Sequence, residues 1–124
     1  MDDQISKRER VWGMLCHMLT LPAVIVPFGN IIAPLLIWMA KKKKSSFVDH
    51  HGKESINFQI TFTLIWIFSP LIYFLAAVNE ILFFAGCIVL AFLVLFYLMQ
   101  IINSCCLANK GIENKYPFAL RLVK

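Results

Sequence analysis

The stretch FQITFTLIWIFSPLIYFLAAVNEILFFAGCIVLAFLVLFYLMQII, Phe58 to Ile102, decides the fold. Glu80 is its one charged residue. Phe58 to Val78 and Ile81 to Ile102 each approach the ~20 apolar residues that cross ~30 Å of hydrocarbon. Asn79 and Glu80 alone separate them, and a link that short folds two long helices into an antiparallel hairpin. Ser69-Pro70 within the first span predicts a kink, because proline removes a helical hydrogen bond.

Upstream, Val11 to Ala40 carries no charge. One straight helix over this run would be about 45 Å long, too long for a single crossing. Pro27, Phe28, Gly29 and Asn30 break it, and Gly-Asn suits a tight turn. Two arms result, over 11–26 and 31–44. Whether this first hairpin spans fully or is re-entrant stays open in the sequence.

Charge placement sets the topology. The twelve Lys and Arg residues give a net charge of +5 and fall into three clusters. These are Lys7 to Arg10, Lys41 to Lys53, and Lys110 to Lys124. Basic residues confined to the flanks of apolar runs follow the positive-inside rule. A nucleic-acid binder interleaves basic and polar residues along one face, so no nucleic acid is expected. Two hairpins place all three clusters on one side. The expected fold is therefore all-α: a polytopic helical bundle, one domain over 1–124, with four membrane segments near 11–26, 31–44, 46–78 and 81–109. Both termini and the tail 110–124 are expected in the cytoplasm. The composition agrees, with 60% hydrophobic and 15% charged residues, against about 45–50% and 25% in soluble domains. Basic residues before an apolar run suggest a signal peptide, but no small-residue cleavage site follows, so a retained segment is expected.

Local signals refine the ends. Ser45-Ser46 with Asp49 reads as a helix start, and Gly111 as a helix stop. Phe118 to Val123 reads as an amphipathic stub on the membrane surface. Lys41, Lys42, Lys43, Lys44, Arg121 and Lys124 are expected to contact anionic lipid headgroups.

The densest polar run is DHHGKESINFQ, Asp49 to Gln59. On a helix, His50, Glu54 and Asn57 share a face that reaches Thr61 one turn on. His51 lies beside it. The spacing matches no metal motif, so neither metal nor cofactor is expected. The alternative reading pairs Glu54 with a basic residue at the bilayer boundary. His17, with Thr20 one turn on, is an ionisable group in an apolar arm, read as a neutral histidine bonded to a neighbour. Asn57 and Gln59 lie at the end of one helix where Gln100 and Asn103 end the next. Those four are expected to meet, as glue between helices or as a polar pocket. Cys16, Cys87, Cys105 and Cys106 read as small apolar residues, with a redox or lipidation role for the adjacent Cys105 and Cys106 as the alternative. No nucleophile–base pair or phosphate loop is present, so no enzyme is expected.

His17, PFGNIIAPLLIW from Pro27 to Trp38, FVDHHGKESINFQ from Phe47 to Gln59, and KYPFALRLVK from Lys115 together resemble the bacterial Tic-twenty-like family. These are small membrane proteins of unknown function, distantly similar to a chloroplast inner-envelope import component. The family carries an acid where this chain has His50. The resemblance marks Pro27, Gly29, Pro34, Trp38, Gly52, Phe58, Tyr116 and Pro117 as structural positions. It implies a bundle of about four segments in a bacterial cytoplasmic (inner) membrane and no defined activity.

The function expected is a non-enzymatic interaction or assembly component, a homo-oligomer or part of a larger membrane complex. The alternative is a small transporter, channel or protein-translocation subunit with its polar site at the cytoplasmic end of the second hairpin.

Overall fold

The computed structural model describes residues 5–124. Four α-helices follow in order: α1 Lys7–Met18, α2 Gly29–Lys41, α3 Ser46–Ala76 and α4 Glu80–Asn109. No strand occurs among the described residues.

The helix ends have local causes. Ser6 and Glu9 form a reciprocal capping box at α1, with Ser6 N–H on Glu9 Oε2 at 2.9 Å and Glu9 N–H on Ser6 Oγ at 3.2 Å. The sequence suggested an arm over 11–26, but α1 ends at Met18. Pro22 has no N–H to return to the Met18 carbonyl, so the chain tightens into a 3₁₀ turn over Pro22–Ile25. Phe28, at φ 58°, reverses direction into α2. Ser45 caps α3 through the Val48 amide, and Asn79 caps α4 through the Ile81 and Leu82 amides. α3 continues through Pro70. The Trp66 carbonyl, deprived of its partner there, accepts the Ser69 hydroxyl at 2.9 Å.

α3 and α4 are long and apolar enough to cross a membrane. The apolar stretch of α4 has no residue buried within the chain, which is not the behaviour of a soluble core helix. Phe74, Val78, Ile81 and Ile88 are each at least 71% exposed. Such a surface is stable against lipid, and we describe the chain as a membrane protein. Of the four membrane segments expected, two are long and apolar enough to span. α1 and α2 have 12 and 13 residues, or about 18–20 Å each. Their turn stops beside Thr63, Trp66 and Ile67 of α3 and Val94 and Leu98 of α4, near the middle of α3. Beyond that level α3 and α4 stand alone, tied by the Tyr73 hydroxyl on the Gly86 carbonyl.

The other half of the molecule is thicker. α1 packs on α3 and α4, and α2 on α3. Gly52 lets α2 approach: a Cβ there would lie 2.6 Å from Trp38 Cδ1. Trp38 in turn donates from Nε1 to Asp49 Oδ1 at 2.7 Å. Phe58 is sandwiched between Tyr97 and Tyr116, with centroids at 5.6 and 4.0 Å and nearly parallel rings. Pro34 is buried in α2.

α4 ends where Gly111 takes φ +76°, the left-handed turn that suits glycine. The tail then folds back onto α3. It contains no helix, so Phe118 to Val123 is an irregular segment rather than an amphipathic helix. A turn at Pro117-Phe118, with φ 60° at Phe118, sends the chain up to Thr61 and back to Asn57.

Candidate functional site

The one-face stripe His50, Glu54, Asn57 and Thr61 on α3 is a clasp for that tail. His50 Nε2–H donates to the Asn114 carbonyl at 2.6 Å. Glu54 Oε2 accepts the Tyr116 amide at 2.9 Å, and its other oxygen pairs with the Arg121 guanidinium. Asn57 Oδ1 accepts the Leu122 and Val123 amides at 3.1 and 2.8 Å, while Nδ2 donates to the Val123 carbonyl at 2.9 Å. Thr61 Oγ1 accepts the Leu120 amide at 2.9 Å. Most of these bonds take backbone groups of a segment that has no secondary structure to satisfy them.

A second set of polar groups lies deeper. Tyr116 OH and His17 Nδ1 are 2.9 Å apart, and His17 Nε2 and His51 Nδ1 are 2.9 Å apart. The tail, α1 and α3 thus share one chain of hydrogen bonds. His17 is fully buried. Burial first, and the neighbouring His51 and His50 second, hold it well below the usual histidine range, so it is neutral at pH 7. Burial likewise pushes the Tyr116 hydroxyl up. Ser55 Oγ–H donates to the Cys16 carbonyl at 2.6 Å, and Asn114 Nδ2–H donates to Ser104 Oγ.

Gln59 does a different task from Asn57. Its Oε1 accepts Asn30 Nδ2 at 3.0 Å and the Tyr97 hydroxyl at 2.7 Å, joining α2, α3 and α4. Asn30 Nδ2 also reaches Thr63 Oγ1 at 3.0 Å. Gln100 and Asn103 make no bond to Asn57 or Gln59, which corrects the expected four-residue meeting. The inward stripe of α4 is Tyr97, Ile101, Ser104 and Ala108. Gln100 and Asn103 each sit one residue off it, and Asn103 is exposed.

Lys41 and Lys42 place their ammonium groups 4.3 and 3.9 Å over the Trp12 and Trp38 rings. Lys43 and Lys44 are exposed, as is Lys124. Arg121 pairs with Glu54, whose carboxylate is buried and needs a cation, while its own side chain stays exposed at the surface. Gly29 packs tightly on Ala23, and Pro27 lines the groove at the first turn. The four cysteines are free thiols. Among the described residues no group of three His, Cys, Asp or Glu is gathered to hold a metal.

Sequence reasoning passed over Asn30, Tyr97 and Asn114. Asn30 looked like a turn residue, and Tyr97 stood inside an apolar run. Asn114 sits in a segment without periodicity. Its position just after the Gly111 stop, where a buried loop needs side-chain partners, was the available signal.

A small helical membrane protein results, with two helices able to span, a shorter pair beside them and a clasped tail. Residues 8–123 match the MamF/MmsF family, the magnetosome magnetite crystal formation protein family. The chain belongs to that family. This match overturns the resemblance to the Tic-twenty-like family, whose quoted motifs describe a small polytopic protein without fixing its membership. No curated protein and no solved structure matches the chain.

Proposed function

We propose that this chain is a non-enzymatic assembly component of the membrane in which magnetite crystals form. The observation that carries this reading is the family match across residues 8–123. The fate of the polar residues supports it. His17, Glu54, Asn57 and Gln59 are spent on holding helices and tail together, so they shape a body rather than line a path. A transport site would need Asn57 and Gln59 to face Gln100 and Asn103, and they do not.

In this reading the basic end faces the cytoplasm with both termini, following the positive-inside rule. The α1–α2 pair dips in as a re-entrant hairpin, and the Val78 to Glu80 turn lies on the opposite side. The membrane is a bacterial inner membrane or one derived from it. Partners are anionic lipid and further membrane-protein copies, through the exposed apolar faces of α3 and α4. Nucleic acid is not among them.

Deletion of the gene in a magnetite-forming bacterium tests the proposal, with crystal number and size measured by electron microscopy and partners captured by crosslinking in native membranes. Altered crystals, restored by the wild-type chain, are expected. Crystals unchanged by deletion would overturn it.

A further inference from the structure

We propose that the notch between the start of α1 and the start of α3 binds a phosphate-bearing anion, supplied by the headgroup of an anionic lipid. The notch is a cavity of about 210 Å³ lined by Arg8, Glu9, Trp12, Lys41, Lys44 and Ser45. Three cations thus face one carboxylate among the described residues. Among the described residues none of the three forms an ion pair, whereas Lys53 and Arg121 are paired to Asp49 and Glu54. Unpaired cations gathered around a cavity attract an anion of more than one charge.

The local geometry already holds negative charge. Hydrogen bonds from Ser45 and Ser6 keep the Glu9 carboxyl below the usual carboxylate range. Two helices also begin at the notch, adding the partial positive charge of their first amides.

A lipid fits better than free phosphate. Trp12 carries Lys41 over its ring, the arrangement of an interfacial aromatic. Leu36 and Met39 stand exposed in the turns of α2 just before Lys41, a surface that acyl chains cover. The inference deepens the proposed function by placing its anionic-lipid contact at one site, and it rests on the basic end lying at a membrane surface.

The full chain in non-ionic detergent, examined by native mass spectrometry, tests it. Phosphatidylglycerol should be retained in preference to phosphatidylcholine. Arg8→Gln and Lys44→Gln should each lower that retention about fivefold, the scale of one basic residue at an anionic headgroup. Glu9→Gln should raise it. Lys43→Gln removes the same charge outside the notch and should leave retention nearly unchanged. Equal losses for Lys43→Gln and Lys44→Gln would show diffuse attraction and overturn the site, as would no loss for Lys44→Gln. Displacement of the lipid by inorganic phosphate would overturn the lipid assignment. A failed notch leaves the crystal phenotype of the deletion strain intact, so the two proposals fail separately.

Discussion

Asn57 grips Val123 by both ends of its carboxamide: Oδ1 takes the Val123 N–H at 2.8 Å and Nδ2 reaches the Val123 carbonyl at 2.9 Å. One side chain in a membrane helix thereby does for an irregular segment what a neighbouring strand would do. Asn57→Leu leaves the Leu122 and Val123 amides without partners. We expect it to cost about 1–3 kcal/mol and to speed tryptic cleavage at Lys115 and Arg121 in detergent. An unchanged cleavage half-life would sink the clasp.

Gly52 permits the α2–α3 approach. In Gly52→Ala the new methyl meets both Cδ1 and Cβ of Trp38, at 2.6 and 2.8 Å, so the indole must move and its bond to Asp49 must stretch. The expected loss is about 1–3 kcal/mol, seen as a lower melting temperature. Adding Trp38→Ala opens the same space. The double variant should lose less than the sum of the singles, and strict additivity would argue against the contact.

His17 links stability to pH. Its folded-state affinity for protons is depressed, so the unfolded chain binds a proton that the folded chain refuses. Stability is full above the unfolded value, near 6.5, and falls as pH drops below it, by at most about 1.4 kcal/mol per pH unit for one proton. Thermal melts between pH 7.5 and 5 (chosen to bracket about 6.5) should show that slope. It should lessen in His17→Gln without vanishing, because the buried His51 bonded to His17 keeps its own share. A slope of equal size in both would assign the effect elsewhere.

The depth of the first hairpin can be read by single-cysteine labelling in a background lacking Cys16, Cys87, Cys105 and Cys106. Cysteines at Lys43 and Asn79 should label from opposite sides with an impermeant reagent. A cysteine at Phe28, whose turn stops near the middle of α3, should label from neither. Labelling of Phe28→Cys from the Asn79 side would mean a full crossing.

The sequence was most legible where one residue has one physical use. Ser45 can cap and Gly111 can turn left-handed, and both ends fall there. The His50, Glu54, Asn57, Thr61 stripe was legible as a face, because 3.6-residue spacing puts those positions together in any helix. What the face holds was not legible. The tail has no periodicity, so nothing local says that Tyr116 returns to His17 or that Arg121 pairs with Glu54. Hydropathy misled over 11–26, where apolar side chains hid that Pro22 ends the helix. It misled again for Gln100 and Asn103, since chemical similarity to Asn57 and Gln59 says nothing of rotation about the α4 axis.

The shortness of α1 and α2 has a consequence for the sheet of lipid itself. At its basic end the body is four helices and a folded tail side by side; at the Val78–Glu80 end it is two helices alone. Set across a bilayer it is a wedge, displacing more area from one leaflet than from the other. Lipids accommodate such a taper at least cost by bowing, with the broad end on the convex face. Where such chains crowd together, the two leaflets must hold unequal areas of lipid.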